Sequence, residues 1–292
     1  MGYSIFSETM ADMTYQQIER AAEQKWPVLF PIAVIEEHGP HLCLGTDTYL
    51  TYNLCKMVKK GLRELGLDSL IVPPYYWGIN VATNGFAGSF TVKPETMVLV
   101  LGDLLECLKS WGFENIFLFN VHGDFKHTLS IINAAKKAYE ERGTGVYFII
   151  SDFFIKRAGL SGEEPYIITQ PTKPEPPAEY LDIHAGGFET SLMVKNFSEL
   201  VNIDLARSLK SSFTTLDGLK IWRQGGEKAR EVTPLGYCGN PSEIDLEKAN
   251  AFEKGMIEGV TRIIFDFLRL KRLHPLYEIL VRTVYILVTH LY

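Results

Sequence analysis

The chain has 292 residues, 46% of them hydrophobic, and carries a formal net charge of −6. It is long and apolar enough to bury a full core, and its acidic balance excludes the broad basic surface typical of nucleic-acid-binding proteins. The four cysteines show neither CxxC pairing nor the density of a secreted disulfide framework. No apolar run reaches membrane-spanning length, and the N-terminus lacks the charged and apolar regions of a signal peptide. We expect a cytoplasmic protein that acts on neither nucleic acid nor membrane.

The first half of the chain alternates predicted helices with predicted strands. A capping-box spacing predicts a helix over residues 14–24, and the apolar, β-branched segment over residues 26–35 predicts a buried strand. Apolar residues at helical spacing predict a second helix from Asp47, as its N-cap, to Gly66. A short predicted strand follows at residues 70–72, before a loop rich in Gly and Asn.

The same alternation continues through the middle of the chain. Pro94 opens a predicted amphipathic helix that ends at Gly112, and a second helix ends at Gly143. Predicted strands follow each of them, at residues 116–119 and 146–150. Strands that alternate with helices of about ten or more residues imply βαβ units with right-handed crossovers. We therefore predict an α/β fold with a largely parallel β-sheet in a layered α/β/α arrangement.

The last part of the chain is less regular. Residues 161–183 form a Pro-rich loop, which is typical of a lid or an interface arm, and a helix carrying Glu189 follows it. A final amphipathic helix is predicted over residues 245–273. We expect one domain over residues 1–270 and a C-terminal extension over residues 271–292, to which we assign no role.

Potential metal ligands are concentrated directly after the first long strand. Glu36 and His38 are two positions apart, so both side chains leave the same face of an extended chain. Asp47 follows a tight loop at the start of the next helix, whose N-terminus favours a negative charge. Burying such charges is costly unless a cation compensates them, and carboxylates with imidazoles suit Zn, Mn or Fe. Taken alone, Glu36 and His38 would more often be an ordinary structural pair than ligands.

Three motifs resemble, in the same order, those of the creatininase (creatinine amidohydrolase) family. They are Glu36-Glu37-His38-Gly39-Pro40-His41 with Thr46-Asp47, then Asn120-Val121-His122-Gly123-Asp124, then His184-Ala185-Gly186-Gly187-Phe188-Glu189-Thr190-Ser191. Together these motifs and their surroundings span most of residues 28–242. The resemblance implies a creatininase-like fold and a metal-dependent hydrolase that acts on C–N bonds other than peptide bonds.

The resemblance also implies ligands for two divalent ions, which would be Zn, Mn or Fe. Glu36, Asp47 and His122 correspond to the ligands of one ion. His38, Asp47 and Asp124 correspond to those of the other ion, so Asp47 is the bridge. Asp124 stands where the family has Glu or Asn, and its side chain is shorter than that of Glu. Two ions about 3.5–4 Å apart share and deprotonate a water, which would attack the carbonyl of an amide or cyclic amide in a small polar substrate.

Three residues are expected to take part in catalysis. His184 is suited to pass a proton to the leaving nitrogen, because the pKa of histidine lies near the operating pH. The alternative is that His184 is a structural loop histidine. Glu189 would orient His184 or a ligand histidine, or else cap its own helix. Asp124 would act through the ion that it holds.

Three further residues are predicted to face the substrate. Asn80 stands where the family has Ser in its substrate loop, and Val121 lies inside the second motif. Tyr180 replaces a Trp that closes the pocket of creatininase, four residues before the catalytic histidine. These departures leave the identity of the substrate open.

Other functions stay open as well. Members of this family also deformylate formamidopyrimidine intermediates, trim a peptide-derived cofactor, or open a cyclic diketone by hydrolysing a carbon–carbon bond. A non-catalytic metal-binding scaffold is a further alternative, which the complete ligand set and His184 disfavour. Because this family commonly forms hexamers, we expect a homo-oligomer, and specifically a hexamer, that acts on a small molecule.

Overall fold

The computed structural model describes residues 6–170 and 180–273, and a β-sheet lies at its centre. The strands are β1 (Val28–Pro31), β2 (Leu70–Ile71), β3 (Ile116–Phe119), β4 (Val146–Ser151) and β5 (Ile167–Gln170). They pair in the order β2-β1-β3-β4-β5, and each of these pairings is parallel. The predicted α/β fold with a largely parallel sheet is confirmed.

Helices cover both faces of the sheet. They are α1 (Tyr15–Glu23), α2 (Thr46–Glu64), α3 (Pro94–Ser110), α4 (Phe125–Glu140), α5 (Asp152–Arg157), α6 (Gly187–Phe197), α7 (Ile203–Ser208), α8 (Leu216–Trp222), α9 (Gly226–Val232) and α10 (Leu246–Leu273), with 3₁₀ turns at Met10–Asp12 and Ser198–Leu200. One face packs against α3 and α4 through an apolar cluster that includes Met97 and Ile131. The other face packs against α2 and α10 through a cluster that includes Leu54 and Ile264. The predicted α/β/α layers are therefore present.

The central strands explain where a site would lie. Every residue of β1 and β3 is buried, as expected for strands that are covered on both faces. The register pairs Val28 with Ile116 and Ile116 with Val146, so neighbouring strands run level with one another. Ligand sites in open α/β sheets lie beyond the carboxyl ends of the strands. The segments that follow β1 and β3 meet at that edge.

β1 is shorter than the strand predicted over residues 26–35. Pro31 has no N–H group with which to continue the ladder. One further backbone bond, from Ile32 N to Phe119 O (2.9 Å), keeps the chain beside β3 before it leaves the sheet. The residues after this point therefore lie beyond the carboxyl end of the sheet rather than within it.

The sequence predicted a loop over the whole Pro-rich segment, residues 161–183, and this prediction is wrong for part of it. Its residues Ile167–Gln170 form β5, which pairs with β4 at the edge of the sheet. Only Ile167 of this strand is buried, and so short a pattern cannot be told from a loop by periodicity. Residues 171–179 lie outside the described residues. So does the part of the predicted C-terminal extension, residues 271–292, that begins at residue 274. Residue 270 lies within α10, so the predicted domain boundary falls inside a helix.

The N-caps of two helices differ from, or were missing in, the sequence predictions. Gly45, and not Asp47, is the N-cap of α2, so Asp47 lies in the first turn, where the helix dipole still favours its charge. Asp124 is the N-cap of α4. Across residues 6–170 and 180–273, no helix combines the length and apolar character that a membrane span requires.

Candidate metal centre

The carboxyl edge of the sheet brings four predicted ligands together. Glu36 and His38 lie on the segment that follows β1, Asp47 lies in the first turn of α2, and His122 follows β3. All four residues are buried, with at most 6% of their surface exposed. A buried group of carboxylates and imidazoles requires a compensating positive charge.

His122 directs one ring nitrogen at two carboxylates. Its Nδ1 atom lies 2.9 Å from Glu36 Oε1 and 2.9 Å from Asp47 Oδ2. Its Nε2 atom lies 3.1 Å from Ile79 O and must donate a proton to that carbonyl. In the neutral ring, Nδ1 then offers a lone pair to two negatively charged oxygens. Either a proton or a cation must lie between these three atoms, and a backbone carbonyl that fixes the tautomer is typical of metal-binding histidines.

His38 repeats this arrangement on the other side of Asp47. Its Nδ1 atom lies 3.1 Å from Glu36 O and donates to it. Its Nε2 atom is buried and makes no hydrogen bond to any described residue, and it lies 3.7 Å from Asp47 Oδ1 and 4.0 Å from Glu189 Oε2. The two carboxylate oxygens of Asp47 therefore face different histidines. Glu36, Asp47 and His122 form one group of potential ligands, and His38, Asp47 and Glu189 form another.

The charges around these histidines favour a cation. Burial lowers the pKa of His122, but the charges of Glu36 and Asp47 outweigh burial and raise that pKa well above its ordinary value. Burial raises the pKa of Asp47, but His122 and His38 outweigh it and hold that pKa well below its ordinary value. The site therefore stabilises positive charge strongly, which a divalent ion would supply.

His184 forms a third group of potential ligands with Glu36 and His38, and Glu37 binds its ring. The ring centroids of His184 and His38 are 4.5 Å apart. The Nε2 atom of His184 lies 2.8 Å from Glu37 O and 3.3 Å from Glu37 Oε1. Burial lowers the pKa of His184, but Glu36, Glu37 and Glu189 raise it to about 10. Glu37 was not assigned a role from the sequence, although its position between two predicted ligands was a signal.

Two glycines hold the Glu37 carboxylate in place. Gly39 donates its backbone N–H to Glu37 Oε2 at 3.0 Å. Gly236 has a φ of +75°, and a Cβ atom at that position would lie only 1.9 Å from Glu37 Oε2. Only glycine allows both this backbone conformation and this close approach. The chain thus fixes Glu37 from two sides, and Glu37 in turn fixes His184.

A model of the creatinine amidohydrolase (Creatininase) family matches residues 11–264, a range that contains all three motifs. The protein belongs to the creatininase family. It is 26% identical over 273 residues to the creatinine amidohydrolase of Pseudomonas putida, which covers 90% of this chain and 97% of the relative. It is 25% identical over 244 residues to a mycofactocin precursor peptide peptidase of Mycobacterium ulcerans, which covers 82% of this chain and 85% of the relative. A solved creatininase with Mn shares the fold, with a TM-score of 0.64 at 18% identity over 89% of this chain and 98% of that chain.

Asp124 departs from the ligand set that the creatininase motif implied. Its Oδ1 atom accepts two backbone N–H groups in the first turn of α4, at 2.7 and 3.1 Å. Its Oδ2 atom accepts the backbone N–H of Val81 at 2.9 Å. The carboxylate is therefore committed to capping and loop contacts, because the short Asp side chain at an N-cap reaches the free N–H groups of its helix. Glu189 Oε2 lies 4.0 Å from His38 Nε2 and also accepts the backbone N–H of Ala185 at 2.6 Å.

The three residues predicted to face substrate lie in different surroundings. Asn80 is buried, and its amide donates to two backbone carbonyls, so it braces the loop over Glu36. The Tyr180 hydroxyl donates to Glu243, in a cavity that none of the potential ligands lines. Val121 is 38% exposed and lines a largely apolar cavity of about 260 Å³ that adjoins the metal centre.

A separate cavity of about 330 Å³ opens directly onto the candidate metal centre. Its lining includes Glu36, Asp47, His122 and Glu189 from the two ligand groups, and also His184. Its volume is at the lower end of the range for small-molecule sites. A small substrate in this cavity would contact the ligand groups and His184 at the same time.

Proposed function

We propose that the protein is a two-metal hydrolase that cleaves an amide or cyclic amide bond in a small polar substrate. The observation that carries this proposal is the sharing of Asp47, whose Oδ2 atom faces His122 at 2.9 Å and whose Oδ1 atom faces His38 at 3.7 Å. Membership of the creatininase family supports a hydrolase that acts on amide C–N bonds.

Two divalent ions fit the donor atoms of this site. Glu36, Asp47 and His122 would hold the first ion. His38, Asp47 and Glu189 would hold the second. Three protein ligands per ion leave positions open for water and substrate, and the mixture of imidazole and carboxylate suits Zn, Mn or Fe. When bound, the ions would lower the pKa of a shared water and polarise the substrate carbonyl.

In this proposal, His184 supplies the proton that the leaving nitrogen needs. Glu37 binds the Nε2 side of the ring, so Nδ1 is the atom that remains for the substrate. The carboxylates around the ring raise its pKa, which favours the protonated form that a general acid requires. Trp222, whose ring centroid lies 5.9 Å from that of His184, packs beside the imidazole and limits its movement.

A peptide amide is the second candidate bond. The similarity to a precursor peptide peptidase favours it. The cavity beside Val121 also favours it, because that cavity is lined mainly by apolar side chains that would accommodate a hydrophobic residue of a peptide. The same ligand groups and His184 would serve for either bond.

Metal analysis followed by a substrate screen tests the proposal. We expect purified protein to retain close to two transition-metal ions per chain after mild dialysis. Hydrolysis of amides, lactams or short peptides should disappear on chelation and return when Zn or Mn is added. A single ion per chain would contradict the shared role of Asp47. Two ions without hydrolysis of any amide, formamide or cyclic ketone would favour the non-catalytic scaffold.

We also propose that the protein assembles as a homo-oligomer. The expectation of a hexamer comes from its family, whose members commonly form one. Light scattering at micromolar protein concentration measures the assembled mass directly. A monomer under these conditions would count against this prediction, without affecting the proposed chemistry.

A further inference from the structure

The cavity that opens onto the metal centre carries positive as well as negative charge. Its lining includes Lys126, Arg157 and Arg223. These residues come from three separate elements, since Lys126 lies in the first turn of α4, Arg157 ends α5 and Arg223 is the C-cap of α8. The fold therefore gathers three cations at one opening, which no single sequence motif would indicate.

The two arginines lie close enough to act on each other. Partial burial and the charge of Arg223 lower the pKa of Arg157, whereas Asp124 raises it. The guanidinium of Arg157 stacks on Phe125, with its Cζ atom 4.5 Å from the ring centroid, which holds the side chain near the cavity. Two like-charged guanidinium groups that line one cavity form a favourable site for an anion.

Neither arginine is neutralised by an acidic partner within the part of the chain that the structure describes. No ion pair between residues in 6–170 and 180–273 includes Arg157, Arg223 or Lys126. Asp124 is the acid that acts on Arg157, and both its oxygens already accept backbone N–H groups. The planar N–H groups of both arginines are thus available to a ligand.

The balance of charge also favours an anion. Four carboxylates line the cavity: Glu36, Asp47, Asp124 and Glu189. Two divalent ions would balance these four negative charges, which leaves the three basic side chains without a counter-charge. This step rests on the proposed function, because without bound metal the four carboxylates would repel an anion from the cavity.

We propose that the substrate carries an anionic group, a carboxylate or a phosphate, which Arg157 and Arg223 bind while its amide lies at the metal centre. The fork of N–H groups on arginine matches the oxygens of both anions. Lys126 adds positive charge that draws the anion toward the opening.

Equilibrium binding tests the arginines independently of catalysis. Succinate and inorganic phosphate are titrated into the zinc-loaded full chain, into an Arg157→Gln/Arg223→Gln double variant and into an Arg207→Gln control, and zinc is measured in each. All three arginines are exposed, so we expect the variants to fold. With zinc retained, the double variant should bind the preferred anion at least about tenfold more weakly, and the control should match the native protein. Unchanged affinity in the double variant, or no binding of either anion to the native protein, overturns the proposal.

Matched pairs of amides separate this inference from the proposed function. Each pair shares one amide and differs in a carboxylate against a hydroxymethyl group, or in a phosphate monoester against an alcohol. We expect kcat/KM to favour the charged member, and the pair with the larger preference identifies the anion. The double variant should lose that preference. Hydrolysis without any preference overturns the inference and leaves the proposed function standing. Arginine-dependent anion binding without hydrolysis of any amide supports the anion site and counts against the proposed function.

Discussion

Replacing Asp47 with Ala is expected to remove both metal ions and to abolish hydrolysis. The two oxygens of this carboxylate face different histidines, with Oδ2 2.9 Å from His122 Nδ1 and Oδ1 3.7 Å from His38 Nε2. Without Asp47, each ligand group falls from three protein donors to two, which is fewer than transition-metal sites in enzymes normally have. The measurement is elemental analysis per chain after dialysis, with circular dichroism to establish that the variant is folded.

Two matched variants show whether Asp47 alone is a ligand of both ions. Asp124→Ala should keep both ions. It should lose its N-cap, at a cost of about 1 kcal/mol in the free energy of unfolding, and also the bond from Val81 N. Glu189→Gln should keep one ion, because Glu189 belongs to only one ligand group. If Asp124→Ala lost an ion while Glu189→Gln kept both, the ligand set implied by the creatininase motif would be correct and the one proposed from the structure would be wrong.

Much of the candidate metal centre could be predicted because the residues that meet there follow local rules. Glu36 and His38 lie two positions apart on an extended segment, and Asp47 lies at the start of the next helix. His122 follows a strand, and the βαβ alternation places the carboxyl ends of such strands at one edge of the sheet. To place each of these residues, it is enough to know the neighbouring helix or strand and that the strands of the sheet are parallel.

The sequence could not show which of two carboxylates, Asp124 or Glu189, lies with His38 and Asp47. Each residue follows a histidine of its motif, Asp124 after His122 and Glu189 after His184, and both are carboxylates. What separates them is that Asp124 Oδ2 binds the backbone of Val81, a residue 43 positions away. Such a contact depends on how a loop returns over the sheet, and sequence spacing contains no information about it.

Tyr180 is a residue that the motif predicted to face the substrate but that lies in a different cavity. Its position four residues before His184 matched a pocket residue of creatininase, but its hydroxyl donates to Glu243 and its ring stacks on Phe213 with centroids 4.3 Å apart. His184 itself forms a backbone bridge with Cys238. A motif fixes the order of residues along the chain, whereas the turn between Tyr180 and His184 decides which cavity each side chain enters.

Replacing His184 with Ala is expected to leave both ions bound and to slow the catalysed step by about 10²–10⁴-fold, the usual effect of a positioned acid–base group. Its Nε2 side is bound by Glu37, which favours a role in proton transfer. His184 also lies within ligand reach of Glu36 and His38, so metal content is the measurement that separates the two roles. Loss of metal in proportion to activity would identify His184 as a ligand.

The pH profile provides a second measurement of the same prediction. A general acid acts in its protonated form, so activity should fall as pH rises through the pKa of His184. The surrounding carboxylates raise that pKa to about 10, and bound ions would neutralise part of their charge and bring it down from that value. We therefore expect a limb on the alkaline side of neutrality that is present in the native enzyme and absent in His184→Ala. If turnover and its pH dependence were both unchanged in the variant, His184 would have a structural role, and the proton would have to come from another group in the same cavity.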